Sequence, residues 1–357
     1  MSHNILITGA SGYLGGTLLA QWKDADLPPY AKLYALVRSE EQRDAVKKLG
    51  AEALVGDVQD QQTICQQIID LQINIVYFLV DAYQSHYQQA MIKALGQVRR
   101  QTGRRVHFLQ TSGAKQYSNH AGFPTSQPLL DTDPNLYDVL RSTKAPNELM
   151  ATSIQANIDV IDTAEAHDVR SYIFSPCIVY GKGQGFGNQI SIQDVAIVQA
   201  ALKLRNVYRV DSGSPTWPLC HINDTTALYL QIMRKILQGD EIGYGRNGFY
   251  LAASGSLAWD EIYSAFAKAL AKRKCIDDED VHDADGGILQ QMGDALGVSA
   301  SVVPVLLEGK CTYTAKHGSL IGWKPRYPPE HLLEAADAEV ELIIENLNSG
   351  KAKASVR

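Results

Sequence analysis

The residues near the amino end place glycines at a spacing that serves phosphate chemistry. Gly9, Gly12 and Gly15 directly follow the apolar run Ile5–Ile7, and a helical pattern begins near Tyr13. The first glycine lets the chain leave a strand with unusual backbone angles, the second lets the backbone approach a phosphate, and the third lets the helix pack closely. Since the start of such a helix presents N–H groups and a favourable dipole to an anion, the pattern predicts a dinucleotide pyrophosphate site.

The elements around this loop alternate in type through the first half of the chain. Apolar runs typical of strands occupy the following segments: Asn4–Thr8, Leu33–Val37, Ala53–Val55, Ile73–Val80, Val106–Gln110 and Ser171–Phe174. Helical patterns lie between them: Leu14–Lys23, Glu40–Leu49, Gln61–Leu71, Ser85–Arg100 and Ala145–His167. This alternation predicts the α/β class, a Rossmann-type doubly wound parallel sheet with helices on both faces.

The pattern becomes irregular after Tyr180, where a glycine run, Gly181–Gly187, leads into a smaller C-terminal substrate lobe. Two later helices are predicted there, over Leu257–Arg273 and Glu330–Leu347. The predicted organisation has five segments: a nucleotide-binding domain over 1–180, its return segment at about 208–237, a substrate-binding lobe over 181–207 and 238–348, and a disordered tail over 349–357.

Composition excludes several classes of function. With 357 residues, 45% apolar and 20% charged, the chain resembles an ordinary globular protein, and its net charge of −6 does not favour nucleic acid. The five cysteines are far apart without a CxxC pair, which fits a reducing compartment and argues against a disulfide framework. No signal peptide and no bilayer-spanning run is evident, so the expected location is the cytoplasm and no membrane partner is expected.

Several motifs, in the expected order, resemble the extended short-chain dehydrogenase/reductase superfamily, also called the NAD-dependent epimerase/dehydratase family, and especially its little-characterised fungal members. The segments that carry the resemblance are Thr8–Gly15 (TGxxGxxG), Gly56–Val58, Thr111–Gly113, Ser175–Gly181 (RPxxVYG), His221–Asp224 (VHVxD) and Gly322–Pro325 (GWxP). The resemblance implies a nicotinamide cofactor, a small-molecule substrate and the same sheet. Assembly as a homodimer stays open.

The motifs and the resemblance together assign two groups of binding residues. The expected cofactor-binding residues are Gly9, Ser11, Gly12, Tyr13, Leu14, Gly15, Arg38, Ser39, Asp57, Val58, Val80, Thr111, Pro176 and Ile178. The expected substrate-binding residues are Gly113, Tyr117, Tyr180, Trp217 and His221, with Trp217 as an apolar wall and His221 as a hydrogen-bonding group or a brace for a loop.

The end of the second strand predicts which nicotinamide cofactor is bound. NAD enzymes of this fold place an acidic residue there for the ribose 2′-hydroxyl. Here the strand ends with Arg38 and Ser39, a guanidinium suited to a 2′-phosphate followed by a hydroxyl. The sequence therefore predicts NADP(H) as the cofactor.

The family's proton-transfer pair, a Tyr with a Lys four residues later, is missing between Ser112 and Pro176. An ungapped register with the family puts Leu149 at the tyrosine position and Ser153 at the lysine position. A gap would restore Lys144 but no tyrosine.

Three residues are therefore the catalytic candidates: Ser112, Tyr137 and Lys144. Tyr117 or a residue of the substrate lobe as the acid, and Thr111 in place of Ser112, remain alternatives.

These observations leave three functions open. The leading hypothesis is an NADP(H)-dependent oxidoreductase acting on a small carbonyl, enol or imine compound through a non-standard active site. The alternatives are an isomerase, dehydratase or cyclase that retains the cofactor, and an NADP-sensing regulator. The nine histidines form no HxxxH motif and no cluster with cysteine, so no metal site is expected.

Overall fold

The computed structural model describes residues 3–211 and 213–349. The predicted disordered tail therefore lies, beyond Ser349, outside the described residues.

The described residues form fourteen strands: β1 (Asn4–Ile7), β2 (Lys32–Val37), β3 (Glu52–Val55), β4 (Ile75–Phe78), β5 (His107–Thr111), β6 (Leu129–Leu130), β7 (Arg170–Pro176), β8 (Ile178–Tyr180), β9 (Val207–Arg209), β10 (Thr216–His221), β11 (Phe249–Ala252), β12 (Gly255–Ala258), β13 (Val281–Asp283) and β14 (Tyr313–Thr314). The α-helices in the described part of the chain are α1 (Tyr13–Gln21), α2 (Glu40–Lys48), α3 (Gln61–Asp70), α4 (His86–Thr102), α5 (Leu136–Ser142), α6 (Glu148–Ala166), α7 (Gln193–Leu204), α8 (Ile222–Gln238), α9 (Trp259–Lys272), α10 (Gly286–Leu296), α11 (Val303–Leu307), α12 (His317–Leu320) and α13 (His331–Asn348).

Seven parallel strands form the main sheet, in the order β3-β2-β1-β4-β5-β7-β11. The order reverses beside β1, so the predicted doubly wound Rossmann-type fold is confirmed. At that switch point the helices that follow β1 and β4, α1 and α4, pack on opposite faces of the sheet, and ligands of such sheets bind in the crevice between the two connections.

Both faces of the main sheet are covered, because successive side chains of each strand point to opposite sides. In β1, Leu6 joins a core with α3, α4 and α6, while Ile5 and Ile7 join a second core with α1, α2 and α8. Burial on both faces explains why the strands read as continuous apolar runs.

The chain leaves the main sheet after β7. Strand β8 pairs parallel with β10, and β10 pairs antiparallel with β12. Helices α7, α9 and α13 pack on one another beside this small sheet. The return to the main sheet, predicted over 208–237, is made by α8 and by β11 at Phe249–Ala252.

One buried carboxylate fastens distant parts of the chain to the main sheet. Asp131, which follows β6, accepts the N–H of Leu251 at 3.0 Å, of Lys316 at 2.7 Å and of His317 at 2.8 Å. Its side chain thereby joins β11 to the start of α12.

The helix predicted to begin at Leu257 begins at Trp259 instead. The preceding residues form β12, whose pairing with β10 holds them extended up to Ala258. Among the described helices none is long and apolar enough to cross a membrane.

Candidate functional site

The glycine-rich turn after β1 packs too closely for any other residue at two positions. Gly9 has a φ of +70°, and a Cβ on it would lie 2.6 Å from the Leu79 carbonyl oxygen. A Cβ on Gly15 would lie 2.3 Å from the Gly9 carbonyl oxygen. Both contacts are with backbone, which cannot move aside, so the turn lets α1 start directly against the sheet.

The start of α1 is open to an anion. Its N-cap residue, Gly12, provides no capping side chain, and the first turn carries no acidic residue. Within the described residues, no protein group accepts the backbone N–H of Tyr13 or Leu14. Unpaired N–H groups and the helix dipole suit a phosphate, so this turn fits the pyrophosphate of a dinucleotide. Ser11, half-buried beside Gly12, lines the same turn.

Arg38 lies exposed at the carboxyl end of β2, and its guanidinium makes no ion pair or hydrogen bond with the described residues. The next residue, Ser39, caps α2 by accepting the Gln42 N–H at 3.2 Å. The first turn of α2 also carries Glu40 and Glu41, and the first of these pairs with Arg43. Arg38 is therefore available to an anionic ligand.

The residues predicted to contact the adenine and nicotinamide lie at the ends of their strands. Val58 is buried, and Asp57 accepts the Gln59 N–H at 3.0 Å, which fixes the turn after β3. Two residues beyond β4, the apolar Val80 is 48% exposed.

Three more predicted cofactor residues lie on β5, β7 and β8. Thr111, at the end of β5, shares a 2.8 Å hydrogen bond with the Tyr229 hydroxyl. Pro176 is the half-buried last residue of β7, and Ile178, the first residue of β8, is fully buried.

A closed hydrogen-bond network surrounds Ser112, just beyond β5. The Ser112 hydroxyl donates to Gln116 Oε1 at 2.6 Å and accepts from Asn157 Nδ2 at 2.9 Å. Gln116 in turn donates to the Ala82 carbonyl at 3.0 Å. Ser112 is only 5% exposed, so in this arrangement its single proton is committed to a protein acceptor.

Helix α6 presents one face to this network. Leu149, Ser153 and Asn157 follow one another at four-residue spacing, and Asn157 reaches Ser112. Ser153 is buried and donates to the Met150 carbonyl at 2.9 Å, while Leu149 is 41% exposed at the helix start. On this face the helix carries neither a phenol nor an amine.

The other two catalytic candidates lie away from Ser112. The Tyr137 hydroxyl donates to Asp162 on α6 and accepts from Arg141 at 2.8 Å, with the Arg246 guanidinium 4.6 Å from the ring centre. Burial, followed by the Asp162 hydrogen bond, raises the pKa of Tyr137. Lys144 is exposed in the segment between α5 and α6.

Of the predicted substrate residues, two lie at the Ser112 end of the sheet. A Cβ on Gly113 would meet nothing within 4 Å, so there is open space beside it. Tyr117 is fully buried, stacked on Tyr313 with ring centres 4.2 Å apart. Its hydroxyl lies 3.4 Å from Asn157 Nδ2, and burial raises its pKa, so it stays protonated.

Tyr180 and His221 line a second space, a groove of about 370 Å³ between β8, β10 and α13. The Tyr180 hydroxyl lies 3.1 Å from His331 Nδ1. His221 Nδ1 accepts the Asn223 N–H at 3.2 Å, and burial lowers the His221 pKa to about 4, so the imidazole is neutral.

Trp217 is buried, with its ring centre 5.9 Å from that of Trp259. The Lys115 amine, on the turn that joins Gly113 to Tyr117, lies 5.6 Å from the Trp217 ring centre, and burial lowers the Lys115 pKa to about 7. Of the predicted substrate residues, Tyr180 and His221 therefore line the groove, whereas Trp217 lies beside the turn after β5.

Sequence reasoning passed over Gln116 and Asn157, the two amides that hold Ser112. An available signal was the four-residue spacing from Leu149 through Ser153 to Asn157, which places all three on one helix face. No sequence signal pointed to Gln116, since a 3₁₀ turn over Ala114–Tyr117 brings it back onto Ser112.

The comparisons with known proteins agree with this geometry. The model of the NAD dependent epimerase/dehydratase family matches residues 5–244. This chain belongs to that family. Among curated proteins, none matches the chain.

Solved structures of the family share the fold at low sequence identity. A UDP-glucose 4-epimerase from Thermotoga maritima, solved with UDP-glucose, is 13% identical, with a TM-score of 0.62 over 96% of this chain and 99% of its own. A dTDP-glucose 4,6-dehydratase from Bacillus anthracis, solved with NAD, is 11% identical, with a TM-score of 0.64 over 98% of this chain and 100% of its own. An ADP-L-glycero-D-manno-heptose-6-epimerase from Helicobacter pylori is 12% identical, with a TM-score of 0.58 over 98% of this chain and 97% of its own. At such identities the likeness shows the fold and not the reaction.

Proposed function

We propose that this member of the epimerase/dehydratase family is an NADP(H)-dependent oxidoreductase acting on a small carbonyl, enol or imine compound. The observation that carries the proposal is the start of α1 at the switch point of the sheet. There the N–H groups of Tyr13 and Leu14 have no acceptor among the described residues and could bind an anion. The nicotinamide supplies or accepts a hydride when bound.

The chain's own residues would hold the cofactor along the carboxyl edge of the sheet. The turn from Gly9 to Gly15 would receive the pyrophosphate, and Asp57 and Val58 would lie beside the adenine. Arg38 would take the 2′-phosphate, because it is exposed and unpaired at the strand end that selects between the two cofactors. Val80 and Leu149, both exposed apolar residues, would cover the nicotinamide ring.

The surroundings of Ser112 restrict the substrate. Ser112, Gln116 and Asn157 are neutral, and Leu149 and Ser153 add no ionisable group on the same face of α6. The Tyr117 phenol beside Asn157 is fully buried and burial raises its pKa, so such a site would position a substrate by hydrogen bonds and not deliver a proton from this phenol. This favours compounds that need no protein acid, such as a protonated imine, which becomes an amine on gaining a hydride alone.

Turnover tests the proposal directly. The protein, incubated with NADPH and a panel of small ketones, enones and imines, should consume the nicotinamide absorption band with at least one member of the panel. The oxidised cofactor with the corresponding alcohols and amines tests the reverse direction. Formation of product without net loss of NADPH would instead select an isomerase or dehydratase that retains its cofactor.

A second function, an NADP-sensing regulator, is favoured by the closed state of the Ser112 network. The Ser112 proton is committed to Gln116, so this hydroxyl offers no free donor to a substrate oxygen. Tight NADPH binding without turnover of any compound in the panel would select this function.

A further inference from the structure

Lys115 is a lysine whose amine has no carboxylate partner among the described residues. It lies on the 3₁₀ turn over Ala114–Tyr117, directly after β5. In the described part of the chain its one hydrogen-bond acceptor is the Val305 carbonyl on α11. Because an ammonium has three N–H donors and a full charge, a single carbonyl leaves this amine incompletely paired.

The indole of Trp217 forms a wall beside the amine. The Lys115 amine lies over that ring, 5.6 Å from its centre, and Trp217 is 2% exposed. A cation is attracted to the face of an indole ring. The amine is therefore held between the turn after β5 and strand β10, where the nucleotide-binding half of the chain meets the substrate lobe.

This place lies at the carboxyl edge of the main sheet. The turn that carries Lys115 follows β5, and β5 pairs with β7, which ends at Pro176. Strand β8 begins directly afterwards with Ile178, which pairs with Leu219 of β10. Since Trp217 comes two residues before Leu219, it lies at the end of β8 that adjoins β7. Ligands of such sheets bind at this edge.

The turn leaves space for a small ligand. Lys115 and Val305 are both half-buried, so the bond between them is not sealed from solvent. A Cβ on Gly113, two residues before Lys115, would meet nothing within 4 Å. The residue after Lys115 is Gln116, which holds the Ser112 hydroxyl. A compound that contacts both Ser112 and the amine would therefore span a single short turn.

The groups around the amine provide no negative charge to it. Burial lowers the Lys115 pKa to about 7, and the Cys311 thiol, whose own pKa burial raises to about 12, is the group that acts on it. Burial also lowers the His120 pKa, so that ring is neutral. The Asp211 carboxylate acts on His120 and Glu308 instead, and α11 carries no ionisable side chain. A carboxylate on a ligand would supply the missing charge.

We propose that the Lys115 ammonium binds the carboxylate of the substrate, and that the compound reduced is a small 2-oxo or 2-imino acid whose apolar part lies on the Trp217 ring. This assignment deepens the proposed function and rests on it. One amine matches the single charge of a carboxylate, whereas phosphate sites gather several donors. The reacting carbon gains the hydride. A protonated imine needs no further proton and an oxo group takes one from solvent, so Lys115 keeps its own.

Binding of benzoylformate, a 2-oxo acid with an aromatic ring, and of its uncharged methyl ester tests the assignment. Calorimetry is performed without cofactor and with saturating NADP⁺, which cannot reduce the acid. At about pH 6 the wild type should bind the acid at least about tenfold more tightly than the ester. Equal affinities for acid and ester, or no binding of the acid in either condition, would overturn the proposal.

Two variants of Lys115 isolate the charge. Lys115→Met should bind the acid no more tightly than the ester and leave the ester affinity within about twofold of the wild type. Lys115→Gln, which retains a donor for the Val305 carbonyl without a charge, should behave alike. Lys310→Met removes an exposed lysine shortly after α11 and is the matched control, which should keep the wild-type preference. An acid preference that persists in folded Lys115→Met and Lys115→Gln would contradict the assignment.

Proton uptake identifies the amine in the wild type, so it decides the question even if both variants fail to fold. A bound carboxylate raises the amine pKa, and the free amine is mostly neutral at about pH 8 and mostly charged at about pH 6. The acid should therefore take up more than about half a proton at the higher pH and much less at the lower. Its affinity should fall by up to about tenfold per pH unit above about pH 7. Calorimetry in two buffers of different ionisation enthalpy measures the uptake. The ester should take up none, and lack of uptake with the acid at about pH 8 would refute the role of Lys115.

Turnover separates this assignment from the proposed function. If the acid binds with proton uptake but NADPH neither binds nor is oxidised, the cofactor function fails and the carboxylate site stands. If NADPH is oxidised with uncharged ketones and no faster with 2-oxo or 2-imino acids, the proposed function stands and the carboxylate site fails. An equal loss of kcat in Lys115→Met on acids and ketones, at unchanged KM, would make Lys115 a proton donor and also overturn the assignment.

Discussion

The proposed preference for NADPH depends on a single side chain, Arg38, whose guanidinium makes no ion pair with the described residues at the end of β2. NADPH should bind more tightly than NADH by ~1–3 kcal/mol, the scale of charge-assisted hydrogen bonds to a phosphate. Arg38→Ala should remove most of that difference, as measured by calorimetry with both cofactors. Arg43→Ala is the control, since that guanidinium is already paired with Glu40 and Asp44, and it should leave the preference intact. Equal affinities in the wild type would refute the assignment.

The two hydroxyl groups considered for catalysis should respond differently to removal. Tyr137→Phe should leave turnover of a compound found in the panel within about threefold of the wild type, since its hydroxyl bonds Asp162 and Arg141. Ser112→Ala should lower the rate by about tenfold or more, because it leaves Gln116 and Asn157 buried without their shared partner. NADPH affinity and melting temperature, measured for both variants, separate a local effect from loss of folding. A large loss of rate in Tyr137→Phe alone would assign the acid's role to Tyr137.

At the scale of elements, the predictable parts of the fold are those set by local patterns. The strands β1, β2, β4 and β5 follow from apolar runs, and α1 follows from the glycine turn, because burial on both sheet faces requires such sequences. The short strands β8, β10 and β12 could not be predicted, since tertiary pairing rather than pattern makes them extended. Likewise, the site residues on the glycine turn carry a motif, whereas Gln116 acquires its contact with Ser112 only through the fold.

The start of α12 is attached to β11 by the Asp131 carboxylate, a contact that the secondary-structure preferences of these segments do not provide. Asp131→Ala would remove the acceptor of the buried N–H groups of Leu251 and His317 and of the partly buried N–H of Lys316, so the free energy of unfolding should fall by ~3–5 kcal/mol. Denaturant unfolding measures the change. Asp133→Ala, two residues on, is the control, because that half-buried carboxylate accepts the Asn135 N–H at 2.9 Å on the surface, and the change should cost about 1 kcal/mol or less. A loss below about 1 kcal/mol in Asp131→Ala would show that these segments associate without the carboxylate.

For the whole molecule, a cofactor that binds only the folded chain must stabilise it. At about 100 times its dissociation constant, NADPH should add about 2.7 kcal/mol, which for a chain of this length raises the melting temperature by roughly 3–4 °C. Gly12→Val should abolish the rise, because its side chain would occupy the approach of the pyrophosphate to the start of α1. Gly286→Val is the matched control and should keep the rise. Gly286 is the first residue of α10, and a Cβ there would meet nothing within 4 Å. If millimolar NADPH raises the melting temperature of neither the wild type nor the control, the turn holds no dinucleotide. If it raises the melting temperature of Gly12→Val as much as that of the wild type, the cofactor binds elsewhere on the molecule.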